Sequence, residues 1–101
     1  MKPLTISIDL DKTWTAEPTL FACFAKIAKS LGHTVIICTR RTELSHSDRI
    51  NLQIPEFVTL FFANFGFKRD AVPFPVDIWI DDEPGTIEPQ RLLEQTNDSL
   101  L

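Results

Sequence analysis

Four short runs of apolar residues, rich in β-branched and aromatic side chains, punctuate the chain: Leu4 to Ile8, Thr34 to Cys38, Phe57 to Phe62 and Val76 to Ile80. They are nearly continuous in hydrophobicity, without polar alternation, which predicts strands buried on both faces. Between the first two the period lengthens. Leu20, Phe24, Ile27, Ala28 and Leu31 fall on one face of a helix that Pro18 opens and Gly32 stops. Weaker helical patterns run over about 43–52, ended by Pro55, and about 87–95, with Pro89 in the first turn. Only a turn or so fits between Lys68 and Pro73. Strands alternating with helical connections predict an α/β fold: a three-layer Rossmann-like sandwich on a mainly parallel sheet of about four strands. Residues 1–101 read as a single domain, with no linker-like stretch to divide them. In such sheets ligands bind beyond the carboxyl ends of the strands, at a topological switch point. The polar residues that close each strand are therefore the candidates for chemistry.

Composition adds exclusions. Hydrophobic residues make up 44% of the chain and charged residues 24%, enough to build a core and too apolar for wholesale disorder. The N-terminus enters a strand pattern directly, and no apolar run approaches about 18 residues, so a cytoplasmic protein without membrane contact is expected. Cys23 and Cys38 both lie in apolar patterns and are expected to be buried, reduced thiols. A formal net charge of −4 argues against non-specific nucleic-acid binding, which rests on neutralising phosphates. Half of the ten basic residues nevertheless stand beside predicted strand ends: Lys12, Arg40, Arg41, Lys68 and Arg69. An anion site on an acidic protein is compatible with that placement.

The first strand ends in Asp9-Leu10-Asp11-Lys12-Thr13, and the fourth ends in Asp81-Asp82. If the extended conformation persists, Asp9 and Asp11 project to the same side. Carboxylates brought within about 5 Å repel by roughly 3 kcal/mol per pair at an effective dielectric of ~20, so a cation should hold them together. An all-oxygen, carboxylate-rich set selects Mg²⁺ or a similar hard cation, and there is no His/Cys cluster pointing to zinc. His33 and His46 are isolated and read as surface residues. The second strand ends in Thr39, followed by Arg40 and Arg41, and Lys68 lies downstream of the third. A hydroxyl, backbone amides and an ammonium facing a metal-bridged carboxylate pair make a receptor for a phosphoryl group.

This ordered set resembles the haloacid dehalogenase-like (HAD) superfamily. The first motif there is an apolar strand followed by D-x-D-x-T, here Asp9 to Thr13. The second is an apolar strand ending in Ser or Thr, here Val35 to Thr39, the third is a Lys, and the fourth is an acidic pair, here Asp81-Asp82. The resemblance spans Leu4 to Asp82. It implies a Mg²⁺-dependent phosphatase, a phosphoric monoester hydrolase, with Asp9 as nucleophile and Asp11 as the acid and then the base. It further implies Thr39 and Lys68, in preference to Arg69, as phosphate-binding residues. The Mg²⁺ set it implies is Asp9, the backbone carbonyl of Asp11, Asp81 and, through metal waters, Asp82. The partner implied is a phosphorylated substrate, either a small molecule or a macromolecular phosphate.

Only Trp14 to Glu17 separate the first motif from the helix, and Thr42 to Glu56 hold little more than one helix, so a HAD-like core without a cap domain is expected. An open site suggests a macromolecular or end-group phosphate, or closure by a second copy in a homo-oligomer. Trp14 is placed near that site, whereas Phe61, Phe62, Phe65, Phe67 and Phe74 read first as core. Two other classes stay open: a catalytically silent binding or regulatory protein on the same fold, and a receiver-like phosphoacceptor domain. Receivers, however, carry the acidic pair on the first strand, and here it comes last.

Overall fold

The computed structural model describes residues 2–89. Its strands are β1 (Thr5–Ile8), β2 (Thr34–Thr39), β3 (Thr59–Phe62) and β4 (Ile78–Ile80), and its helices are α1 (Pro18–Ser30), α2 (His46–Asn51) and α3 (Lys68–Ala71). All strand pairs are parallel, in the spatial order β3-β2-β1-β4. The chain thus steps from β1 to β2 to β3 in one direction and then crosses to the far side of β1. Right-handed crossovers put helices on opposite faces when the direction reverses. Leu44 and Leu52, which flank α2, pack with α1 on one face, and Val72, just past α3, packs on the other. The result is a small three-layer Rossmann-like α/β sandwich, and its switch point lies between β1 and β4.

The two inner strands are the most buried. Ile6 and Ile8 of β1 and Val35 and Ile37 of β2 face α1, whereas Ile36 and Cys38 face the other layer with Val72 and Trp79. Edge strands β3 and β4 are half-exposed and shorter than their apolar runs, beginning at Thr59 and Ile78. The helix expected over about 43–52 contracts to His46–Asn51, because Ser45 caps it by accepting a hydrogen bond from the Asp48 N–H. The helix expected over about 87–95 falls largely outside the described residues; a 3₁₀ turn at Pro84–Thr86 precedes that span, and residues 87–89 are not helical.

Helix α1 begins at Pro18 and ends in a Schellman motif. Gly32, at φ +91°, sends its N–H to the Lys29 carbonyl, and His33 sends its N–H to the Ala28 carbonyl. Its buried face is not the one the large side chains mark. Ala22, Ala25 and Ala28 lie against the sheet, while Leu20, Ile27 and Leu31 are each about 60% exposed. Alanines let the helix axis approach the sheet closely, and the volume between them is filled by Ile8, Leu10, Val58 and Trp14.

Trp14 is fully buried, not a rim residue. Its ring stacks on Phe21, and its indole N–H donates to the Leu52 carbonyl at 2.7 Å. Cys23 is exposed, against expectation, and Cys38 is buried. Of the phenylalanines, Phe61 and Phe62 are half-buried, but Phe65, Phe67 and Phe74 are exposed. Among the described residues no helix is long and apolar enough to cross a membrane.

Candidate functional site

The switch point gathers the carboxyl ends of β1 and β4. Asp9 continues the ladder past β1, its N–H donating to the Ile80 carbonyl at 2.8 Å, so Asp9 and Asp81 emerge side by side. The chain then turns instead of staying extended. Trp14 N–H bonds to the Asp9 carbonyl, Thr15 N–H bonds to the Leu10 carbonyl, and Lys12 takes a left-handed φ of 67° with its N–H on the Thr15 hydroxyl. Leu10 is driven into the core, and Thr13 comes back beneath Asp9. Strand alternation therefore does not bring Asp11 onto Asp9. Asp11 reaches the rim of the same pocket through the turn.

Lys68, the first residue of α3, is the centre of the cluster. Its ammonium is 3% exposed and donates to Asp9 Oδ1 at 2.7 Å and to Asp81 Oδ2 at 2.5 Å. Thr13 Oγ1 donates to Asp9 Oδ2 at 3.2 Å and leans on Asp82 Oδ1 at 3.4 Å. Asp81 Oδ1 accepts the Glu83 N–H at 2.9 Å, which fixes the turn after β4. Oxygens of Asp9, Asp81 and Asp82 lie within 4.8 Å of one another. Three carboxylates facing one ammonium leave two formal negative charges, and the donors are all hard oxygens, so the set fits a divalent cation such as Mg²⁺. The Asp11 carboxylate is not in that set; it is paired with Arg41.

Electrostatics separates the carboxyl groups. Burial, together with the neighbouring Asp82 carboxyl, pushes Asp9 up to about 6 despite the nearby Lys68 ammonium. Asp82 is held below its usual range, first by that same contact with Asp9. Burial works against the Lys68 ammonium, but its hydrogen bonds to Asp81 and Asp9 prevail and hold it above the ordinary lysine value. Burial likewise pushes the neighbouring Cys38 thiol up to about 11, which keeps it protonated and inert.

A pH effect follows. Between about 4 and 6 the folded protein keeps a proton on Asp9 that the unfolded chain releases, so this group's contribution to stability falls as pH rises through that window. In chelator the Asp9 contribution to the unfolding free energy should drop by about 2 kcal/mol from pH 4.5 to 7, and Asp9→Asn should remove that drop. Urea titrations of both proteins across the range check it, and an equal slope in Asp9→Asn would show that Asp9 is not its source.

The pocket over this cluster has a volume of about 110 Å³ and is lined by Asp9, Asp11, Thr39, Lys68 and Asp81, with Lys12, Arg40, Glu83 and Thr86 around them. That is well below the roughly 300–1,000 Å³ of pockets that engulf a whole small-molecule ligand. A larger depression of about 420 Å³ beside edge strand β3 offers less chemistry. Its cation, Arg49, is already spent on the carbonyls of Pro55, Glu56 and Val58.

Each residue singled out from the sequence has a definite place. Asp9, Asp81, Asp82 and Lys68 meet; Thr39, buried at 1% exposure, lines the same pocket; and Asp11 stands at the rim. Arg69 points away, stacking over Trp79 and pairing with Glu88. His46 is exposed, and His33 is half-buried, its Nδ1 accepting the Leu4 N–H. The bridging role of Thr13 and the lining by Glu83 and Thr86 were not foreseen. Thr13 does occupy the last position of the D-x-D-x-T string, which was the available signal. Comparison of the chain with protein-family models, with curated proteins and with solved structures gave no match.

Proposed function

We propose that this protein is a Mg²⁺-dependent phosphatase of the HAD-like type, acting on a phosphate monoester through an aspartyl-phosphate on Asp9. The observation that supports it most is the double hydrogen bond of the buried Lys68 ammonium to Asp9 and Asp81. It ties a carboxylate from β1, a carboxylate from β4 and a lysine from α3 into one site at the switch point, in a pocket that a buried threonine also lines.

Asp9 is suited to act as a nucleophile. At neutral pH it is mostly ionised, and Lys68 and Thr13 each hold one of its oxygens, which orients the carboxylate toward the pocket. One Asp9 oxygen attacks phosphorus in line as the bond to the leaving oxygen breaks, and Asp11 gives that oxygen a proton. Asp11 then takes a proton from water as the water oxygen attacks phosphorus, releasing phosphate and restoring Asp9. The Thr39 hydroxyl and the Lys68 ammonium stabilise the transferring group's equatorial charge. Mg²⁺, when bound, neutralises the carboxylates and the developing phosphoryl charge. Asp9, Asp81 and Asp82 would hold it.

The pocket admits the phosphoryl group and leaves the rest of the substrate outside, in keeping with the uncapped core. The test is hydrolysis of 4-nitrophenyl phosphate by purified protein in Mg²⁺ and in chelator. Turnover is expected only with Mg²⁺, and Mg²⁺ with beryllofluoride should raise the Tm. Absence of both responses would leave a binding protein on this fold as the better reading.

A further inference from the structure

Two arginines follow Thr39, and they are used differently. Arg40 is committed to the β3–α3 loop: its guanidinium donates to the Phe65 carbonyl, and its own carbonyl accepts the Phe65 N–H at 2.8 Å. Arg41 is parked on Asp11. Its Nε donates to Oδ2 at 2.9 Å and its Nη2 to Oδ1 at 2.5 Å, so both oxygens of the residue given the acid and base role are occupied by one guanidinium. The Arg41 N–H also donates to the Thr39 hydroxyl at 3.2 Å, which places the residue directly beside the phosphoryl pocket.

The pair is fork-to-fork and geometrically strong, yet both side chains are open to solvent, at 43% and 48% exposure. Exposed pairs contribute little to stability, so exchanging Asp11 for another anion is inexpensive. Asp11 must turn from Arg41 to face a leaving oxygen. A substrate with nothing to offer the guanidinium leaves it on Asp11, whereas one carrying a second anion removes it while adding a charge-assisted, bidentate contact.

We infer that Arg41 is a specificity-determining residue that selects phosphate monoesters bearing a second anionic group next to the transferred phosphoryl, and that this group frees Asp11 by taking over the Arg41 guanidinium. The inference rests on the phosphatase reading above. The shared chemistry is a planar or tetrahedral oxyanion at the rim, as a second phosphate or as a carboxylate. Lys12, on the same rim, adds to the local positive field.

The experiment compares kcat/KM for adenosine 3′,5′-bisphosphate, 2-phosphoglycolate, adenosine 5′-monophosphate and phenyl phosphate, in wild type and in Arg41→Gln and Arg41→Lys. An exposed charge pair of this kind is worth about 0–1 kcal/mol, so wild type should prefer the second-anion substrates by up to about 5-fold. The preferred member of the first two distinguishes phosphate from carboxylate. In Arg41→Gln the preference should collapse toward parity, and Arg41→Lys, which keeps the charge without the fork, should restore only part of it. A preference unchanged in Arg41→Gln overturns the inference. If no substrate is turned over, the phosphatase reading fails separately, and calorimetric binding of the bisphosphate and monophosphate decides Arg41. Selective weakening of bisphosphate binding in Arg41→Gln supports the role, and equal affinities in both proteins reject it.

Discussion

Asp9→Asn should lower Mg²⁺-dependent hydrolysis of 4-nitrophenyl phosphate by on the order of 10⁴-fold or to the detection limit, since removing a covalent nucleophile costs as much as disabling the whole catalytic unit. The amide cannot form the phosphoryl-enzyme bond, although its shape is nearly that of the acid. The protein should stay folded. Asparagine can still accept from Lys68 at the Oδ1 position, where the present contact is 2.7 Å, and its NH₂ takes the Oδ2 place beside the Thr13 hydroxyl, which can accept from it while donating to Asp82. Asp9 is buried and pays a desolvation penalty when charged, so the neutral amide should leave the Tm in chelator within a few degrees of wild type or slightly above it. Stabilisation by Mg²⁺ should shrink in the same variant, because one of three carboxylates is gone. Turnover of Asp9→Asn within tenfold of wild type would remove Asp9 from the nucleophile role.

The second large effect is on stability. Lys68→Met keeps the length of the side chain and deletes the ammonium that separates Asp9 from Asp81. Leaving one partner of a buried ion pair uncompensated costs about 3–5 kcal/mol. For a domain of this size each kcal/mol moves the Tm by about 4–8 °C, so a loss of roughly 12–40 °C is expected in chelator. Two observations would separate this cause from simple repacking. Mg²⁺ should restore more of the Tm in Lys68→Met than it adds to wild type, and a further Asp81→Asn change should recover part of the loss by removing the repulsion. A Tm drop of less than about 5 °C, insensitive to Mg²⁺, would show that the cluster does not depend on Lys68.

Both predictions draw on contacts between residues far apart in the chain, which indicates how the reading divides. By itself the sequence determined the four strands, α1 and α2, and their order. Continuous apolar runs without alternation are expected only of strands covered on both faces, and β1 and β2 are covered so. Pro18 and Gly32 bounded α1 because their backbone restrictions act locally. Asp9, Thr39 and Asp81 were legible as strand-end residues, since parallel β/α order alone sends every strand's carboxyl end to one edge.

What lay beyond the sequence was direction in three dimensions. The large apolar residues of α1 mark one face, but the spacing of Ala22, Ala25 and Ala28 marks another, and only the closeness of the sheet chose the alanines. Lys68 and Arg69 are adjacent cations that composition does not distinguish. The start of α3 turns the first into the site and the second over Trp79. Asp9 and Asp11 share a strand-like spacing, yet the hydrogen bonds of the turn after β1 separate them and leave Asp11 to Arg41, 30 residues away. Local backbone preference acts over a few residues and is written in the sequence around them. The partners of a buried charge are set by which elements pack together, and that is decided when the sheet and its helices assemble.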